Sequence, residues 1–454
     1  MKKDIFFYTS LDLKNHPIKD TTINYREQYI DALRYFTNKY SENEMNTETV
    51  LKQYSKHFFN NGISYHNNIN DKELKKKVRK VCSKFRIKQF KIFRYRFVFI
   101  CDCLFINAFN NSQLGRKIIN EFKTLFSSRY HFVLEELYEV LYNDKLTKRE
   151  FKLAEQQIEI WKRNKNFINK PTNNILITAT MSAGKSTLVN TIIGKKLAQT
   201  RNEACTDTAN LFFNKLFEDE LITKKSSNGE IVYDSNIINN KSQKAYSNIC
   251  TYMNLTNKYE KRICLIDTPG VNSSLNKDHA DVTRNTLNSM NYNKVVYVIN
   301  ANNIGTEDDI KHLKNICEII KNKKIIFVLN KLDTFRLKED SIEDSIEELR
   351  KDLENIGFKD INICPTSAYA AGLFKKLLND EQLNEDEELD CSMLLRKFSK
   401  SEYDLSKFYD KKCKCNIFKN KYISFEQYDS NKVLDCLYKT GIINLEELIT
   451  EGED

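Results

Sequence analysis

Ile175-Leu-Ile-Thr-Ala179-Thr-Met-Ser-Ala-Gly184-Lys-Ser-Thr-Leu-Val-Asn190 is the stretch around which this chain of 454 residues is organised. Ile175–Ile177 is apolar and partly β-branched, as suits a buried parallel strand. Ala179–Ser186 fits the phosphate-binding pattern G-x-x-x-x-G-K-[ST] except at its first position, where Ala179 stands for the glycine that usually opens the turn. Backbone N–H groups in such a loop converge into a nest for anionic oxygens, and the following helix adds the positive end of its dipole. Ala183, Gly184, Lys185, Ser186 and Thr187 are the expected phosphate contacts. Lys185 would neutralise the β- and γ-phosphates, and the Ser186 hydroxyl would hold Mg²⁺.

Further elements follow in the order such a domain requires. Gly194 is a helix stop. In Arg201-Asn-Glu-Ala-Cys-Thr206-Asp-Thr208, Thr206 is the expected switch hydroxyl that completes the Mg²⁺ shell, with Thr208 in reserve. Residues 209–260 read as irregular β structure, with Asn228-Gly229 as a hairpin signal. Ile263-Cys-Leu-Ile-Asp267-Thr-Pro-Gly270 is a buried strand ending in Asp-x-x-Gly. Asp267 would bind the metal through water, and the Gly270 N–H would meet the γ-phosphate. Segment 272–290 would be the second switch, and its His279 is assigned no role. Lys294–Asn300 is another strand, and Thr306 caps a helix whose Glu307, Asp308 and Asp309 are assigned no chemistry.

Ile325–Leu329 runs into Asn330-Lys331-Leu332-Asp333, which decides the base. A carboxylate can accept from both the ring N–H and the exocyclic amine of guanine, whereas adenine would leave it unpaired. Lys331 would lie along the ring, Asn330 would tie this loop to the phosphate loop, and Ser367-Ala368 would close the pocket on the guanine oxygen. These motifs predict an α/β fold: a P-loop GTPase domain with a mostly parallel central sheet, binding GTP and GDP.

Met181-Ser-Ala-Gly-Lys-Ser-Thr187, Ala204-Cys-Thr206, Asp267-Thr-Pro-Gly-Val-Asn-Ser273 and Asn330-Lys-Leu-Asp333 resemble the dynamin-like GTPases, particularly the bacterial ones, over about residues 170–454. The resemblance implies G domains that pair face to face, with pairing stimulating hydrolysis and helical bundles carrying the stroke to membranes. It implies that Ser182 helps place a monovalent cation beside the phosphates. Met181 stands where eukaryotic dynamins often have a catalytic Gln, and Val271 where Ras-like proteins carry a water-orienting Gln. Neither can orient water. Slow hydrolysis by the monomer is therefore expected, with Ser182, the Thr206 carbonyl and a partner G domain supplying the missing groups, and Ser182, Lys185 and Thr206 as the catalytic set.

Residues 1–170 read as an all-helical domain preceding a G domain of residues 171–454. The first part carries 33 Lys and Arg against 19 Asp and Glu. Lys72–Arg96 holds 12 basic residues and one acidic, Glu73. This basic stretch has three readings: a solvated helix face, a surface for anionic lipid headgroups, or, ranked lower, a surface for nucleic acid phosphates. Phe85, Phe90, Phe93, Tyr95 and Phe97, interleaved with it, suit an interfacial helix and a helical core equally. Helices are expected at Asn24–Tyr40, Thr47–Phe59, Asp71 to about Phe109, Ser112–Ser127, Tyr130–Tyr142 and, from a capping box Thr147-Lys-Arg-Glu150, to Lys170. Phe97–Ile106 is apolar but too short to span a bilayer.

The apolar run at the start is too short for a signal peptide, and twelve scattered cysteines with Cys-x-Cys spacing at 101/103 and 413/415 read as reduced thiols rather than a metal site. A cytoplasmic protein, peripheral at the inner membrane face, is expected. After Leu373–Leu378, Asn384–Glu388 reads as an acidic loop and Gly441–Ile449 as the last helix. No stalk and membrane tip of the dynamin kind follows, so a second dynamin-like subunit is a candidate partner beside the homodimer. Two other readings stand: a non-mechanical regulatory GTPase switch acting on a protein, ribosome or RNA partner, and a nucleotide-binding scaffold that barely hydrolyses.

Overall fold

The computed structural model describes the chain except residues 1–4, 41–43, 60–69, 83–89, 181, 199–208, 226–230, 235–247, 256–259, 269–286, 321–323, 337, 410–427 and 452–454. The chain divides into two compact units: Pro171–Asn214 with Asn236–Asp454, and Met1–Lys170 with Lys215–Ser235. The described strands are β1 (Asn173–Ala179), β2 (Asn210–Asn214), β3 (Ile222–Lys225), β4 (Ile231–Asp234), β5 (Asn248–Thr251), β6 (Ile263–Asp267), β7 (Lys294–Asn300), β8 (Lys324–Asn330) and β9 (Asn362–Pro365).

In the first of these units the strands lie in the order β5-β2-β6-β1-β7-β8-β9. Every pair in that order is parallel except β2 against β6. A parallel sheet needs crossover helices on its faces, which buries its strands and makes them near-continuous apolar runs. Every residue of β6 and β7 is buried. The helices Lys185–Ile193, Glu307–Ile319 and Ile342–Ile356 follow β1, β7 and β8. The loops after β1, β6, β8 and β9 therefore all open on the carboxyl edge of the sheet, where ligands of open α/β sheets bind.

Helices Ala368–Leu378, Glu385–Phe398, Ser430–Lys439 and Ile442–Thr450 complete this unit. The expected loop at Asn384–Glu388 is instead the start of a helix. Asn384 accepts from the Glu387 N–H while Glu387 reaches back to the Asn384 N–H, a reciprocal cap that turns an acidic run into a first helical turn. Gly441 has φ +77°, and a Cβ there would lie 2.3 Å from the Pro365 carbonyl oxygen. Only glycine permits that approach. Lys375 is buried, paired with Glu446, and donates to the carbonyls of Thr191 (3.0 Å) and Asn254 (2.8 Å).

The other unit is helical around an aromatic core: Tyr29, Phe36, Phe99 and Phe122 pack edge to face or stacked, and Trp161 packs on Phe105, Phe109 and Tyr142. Helices run Ile23–Tyr40, Glu44–Phe59, Ser112–Leu125 and His131–Tyr142. The single helix expected over 71–109 is not present. Asp71–Cys82, a turn at Phe90–Phe93 and Arg96–Ala108 replace it. Tyr95 leaves helical geometry (ψ 12°), and the Arg96 guanidinium sits over the rings of Phe93, Phe97 and Tyr130. The capping box at Thr147 does not form either. Arg149–Ala154 is a 3₁₀ helix without a side-chain cap, burying Phe151 and Ala154 at its three-residue repeat, and the α-helix is Glu155–Asn169.

Lys215–Ser235 joins the helical unit through specific bonds. Leu11 N–H donates to Asp219 (3.1 Å), Phe217 N–H to the Ser10 hydroxyl (3.3 Å), and the Thr223 hydroxyl to the Phe7 carbonyl (3.0 Å). β3 and β4 pair as the expected hairpin, Lys225 opposite Ile231, while its Asn228-Gly229 turn lies outside the described residues. Lys215 and Asp219 form an ion pair at 2.9 Å with both side chains fully buried. Removing one partner of such a pair strands a buried charge. Asp219→Ala should lower stability by about 3–5 kcal/mol, read as a shifted urea midpoint, whereas breaking the exposed Lys14–Glu220 pair should leave the midpoint within error.

Candidate functional site

The carboxyl end of β1 turns into the phosphate-type loop, and two left-handed residues shape it: Ser182 (φ +63°) and Gly184 (φ +86°). Left-handed residues interspersed with right-handed ones point successive N–H groups inward. Ser182 adopts this conformation at a cost of about 1–2 kcal/mol that glycine escapes. Gly184 is the N-cap of the Lys185–Ile193 helix, and a Cβ on it would meet the Asn330 amide nitrogen at 2.4 Å. Ala183, Lys185, Ser186 and Thr187 lie on this loop and the first helical turn.

Lys185 and Asp267 form an ion pair, with both side chains almost wholly buried. β1 and β6 are adjacent and in register from Asn173–Ile263 to Ile177–Asp267. That register sets the carboxylate at the end of β6 beside the lysine that opens the helix after β1. Thr268, the next residue, donates its hydroxyl to the Ile177 carbonyl (3.1 Å), fixing where the chain leaves the strand. Met181, Thr206, Thr208, Gly270, Val271 and His279 lie outside the described residues.

Asn330 ends β8 buried, with both ends of its amide engaged. Its Nδ2 donates to the Ala183 carbonyl (3.0 Å), and its Oδ1 accepts from the Ala368 N–H (3.1 Å). The expected tie between this loop and the phosphate loop is present and extends to Ser367-Ala368. Lys331 takes a left-handed turn (φ +70°), followed by one turn of 3₁₀ helix, Leu332–Thr334. The Ser367 hydroxyl donates to Asp333 Oδ1 (2.6 Å) and accepts from the Ala370 N–H (3.3 Å). Asp333 thus presents its carboxylate from one loop while a second loop holds one of its oxygens. The structure brings together Ala183, Gly184, Lys185, Asp267, Asn330, Asp333, Ser367 and Ala368.

Two features behind the phosphate loop are not legible in the sequence. Asp309 is buried and takes the Thr180 hydroxyl, so a carboxylate that reads as part of an acidic first turn also anchors the loop. Thr306 does cap that helix, accepting from the Asp309 N–H at 3.4 Å. One turn on, His312 lies 3.4 Å from the Thr178 hydroxyl and packs on Tyr297. No local motif marks Asp309 or His312 as touching β1, because the contact follows from the β1–β7 register.

Two outcomes test this geometry. Asn330→Ala leaves the Ala183 carbonyl and the Ala368 N–H without their shared partner and should weaken nucleotide binding by roughly ten- to a hundredfold, measured by fluorescent-nucleotide titration. Burial holds the His312 imidazole down at about 4, against about 6.5 in an unfolded chain. The neutral ring is the one the fold accepts, so its contribution is present above about pH 6.5 and is lost as pH falls towards 4. In His312→Gln that part of the acid-side loss, roughly 3 kcal/mol, should disappear from urea midpoints followed from neutral pH downwards.

Residues 170–384 match the family of the elongation factor Tu GTP binding domain. Comparison with curated protein sequences finds no match. Similar solved structures include Toc33 from Arabidopsis thaliana in complex with Mg²⁺ and GMPPNP (12% identity, 64% of this chain and 93% of that one, TM-score 0.31). A point variant of Aquifex aeolicus Era bound to GDP·AlF4⁻ is 15% identical over 47% of this chain and 69% of that one, with TM-score 0.28. The G domain of the T. maritima FeoB iron transporter is 15% identical over 44% of this chain and 89% of that one, with TM-score 0.24. With phosphate-loop lysine, Asp267 and the Asn330–Asp333 loop on one edge of a mostly parallel sheet, and with that family match over the same residues, this stretch is a P-loop GTPase domain and the chain a GTP hydrolase.

Proposed function

We propose that this GTPase is Mg²⁺-dependent, of dynamin-like type, and stimulated when two G domains pair, with its helical domain coupling it to an anionic membrane surface. The convergence of Lys185, Asp267 and the Asn330–Asp333 and Ser367-Ala368 loops carries the reading. The donor set suits a hard divalent cation, since Ser186 and Asp267 offer a hydroxyl and a carboxylate oxygen and no sulfur or imidazole. Ser186 and Asp267, with Thr206, would hold Mg²⁺, which neutralises charge on the phosphates when bound. Lys185 would meet the β- and γ-phosphates, with N–H groups of Ala183 to Thr187 and Gly270 around them. Asn330, Lys331, Asp333, Ser367 and Ala368 would hold the base.

Chemistry in such a site is in-line attack of water on the γ-phosphate, helped by positioning and charge stabilisation. Met181 and Val271 carry no group able to orient that water, which is why a second G domain is assigned the task, with Ser182 and a monovalent cation beside the phosphates. Membrane coupling rests on the Asp71–Cys82 helix. Leu74, Val78 and Val81 face the core while Lys72, Lys75, Lys76 and Arg79 are exposed. Phe93 and Phe97 are buried in the helical core, so they do not serve as lipid-inserting side chains, and attraction would be electrostatic. No helix among the described residues is long and apolar enough to cross a membrane.

Turnover per molecule should rise with protein concentration and again with anionic vesicles, and Lys185→Ala should abolish it. Flat turnover in both series would favour the regulatory switch. Changing Lys72, Lys75 and Lys76 together to Glu should abolish vesicle flotation, since each cation contributes about 1 kcal/mol near an anionic surface and the attraction is screened by salt.

A further inference from the structure

Both loops assigned to the base are held by residues that follow position 384, beyond the stretch that matches the GTP-binding family. Lys397, on the Glu385–Phe398 helix, donates from its ammonium to the Asp333 carbonyl (2.6 Å) and also to the Phe335 carbonyl. Those carbonyls close the Leu332–Thr334 turn, whose C-terminal end carries the negative end of the local dipole and unpaired acceptors. The Lys397 ammonium lies over the Tyr403 ring, 4.6 Å from its centre, and the Tyr403 hydroxyl donates to the Phe335 carbonyl at 3.4 Å. Burial pushes the Lys397 ammonium below its usual range, while Asp333 and Asp340 oppose that shift.

The second loop is held similarly. Ser367 N–H donates to the Thr440 carbonyl (3.0 Å), and the Tyr409 hydroxyl donates to the Pro365 carbonyl (3.1 Å). Asp333 is therefore fixed twice, its backbone by Lys397 and its carboxylate by Ser367, and each anchor leads to the helices after residue 384.

We propose that Lys397 is a positioning residue that sets guanine specificity: it holds the Asp333 backbone so that the carboxylate reaches the ring N–H and the exocyclic amine together. This rests on the assignment of Asp333 to the base. A carboxylate that must accept two parallel bonds tolerates only about half an ångström of error. Without the clamp the turn relaxes, and the bond to the exocyclic amine is lost before the bond to the ring N–H.

Hypoxanthine lacks that amine, so the test compares affinities for GDP, IDP and ADP in the full chain and its variants. Wild type should bind GDP far more tightly than IDP. Lys397→Met, which keeps an unbranched apolar side chain and removes the ammonium, should reduce the GDP-over-IDP ratio about tenfold, and Lys397→Arg should restore most of it. Lys407→Ala, which breaks an exposed pair with Glu343, should leave the ratio unchanged. Thermal melting monitors folding, and Lys397→Gln substitutes if the Met variant is unstable. Equal weakening of GDP and IDP, or an unchanged ratio in folded Met or Gln protein, overturns the proposal. A wild type that binds ADP as well as GDP overturns the assignment of Asp333 itself.

Discussion

One buried side-chain amide holds the catalytic unit's loops in place. Asn330 stands where β8 ends and spends both ends of its amide on other loops, donating to Ala183 and accepting from Ala368. Phosphate-type loop and base-type loop are thus held from one point that is itself fixed by the β7–β8 register. The arrangement explains Gly184, because the amide passes where a Cβ would stand. It also explains why the loops keep left-handed residues at Ser182 and Lys331: surrounding bonds over-determine backbones that would otherwise relax.

Much of this was legible in the residues. Apolar runs at Ile175, Ile263, Lys294 and Ile325 are continuous because parallel strands are buried on both faces, and the motifs after them fell at the strand ends. Helix periodicity was also readable, but its boundaries were set by tertiary contacts. The three-and-four spacing through residues 71–109 runs on past residue 95, yet the backbone leaves helical geometry at Tyr95 and the helix is interrupted. Thr147 and Glu150 have capping-box spacing, and burial of Phe151 and Ala154 selects a tighter turn instead. The real capping box, at Asn384 and Glu387, was hidden in an acidic run that reads as solvated loop. In the site, Asn330, Asp333 and Ser367 announce themselves by motif. Asp309, Lys397 and Thr440 do not, because their roles depend on packing across tens of residues of chain.

Three of the buried lysines are paired with carboxylates, each in a different setting. Lys185 is paired at the sheet edge with Asp267, Lys375 is tied to Glu446 and two carbonyls in the interior, and Lys215 is paired with Asp219 in the helical unit. The latter two satisfy the rule that a buried charge needs both a counter-ion and further hydrogen bonds. Asp219 accepts from the N–H groups of Leu11 and Leu221 besides Lys215. Lys185 is different in kind, since its partner is the carboxylate that the proposed metal would share.

The Lys215–Ser235 segment gives the two units an interleaved chain path. The helical unit precedes β1, is interrupted at Lys170 while β1, the phosphate-type loop and β2 are made, and resumes at Lys215. The Ser10 hydroxyl, the Leu11 N–H and the Phe7 carbonyl each bond to a residue beyond 216. On a ribosome the helices emerge first but cannot close over their last polar groups until the nascent chain has passed Ser235, by which time the opening strands of the nucleotide-binding unit have also been synthesised. Domains that emerge whole can fold in sequence. Here the helical unit cannot finish until part of the other has been made, and a cut at Lys170 would strip it of Lys215–Ser235 while leaving every segment of the nucleotide-binding unit on one piece.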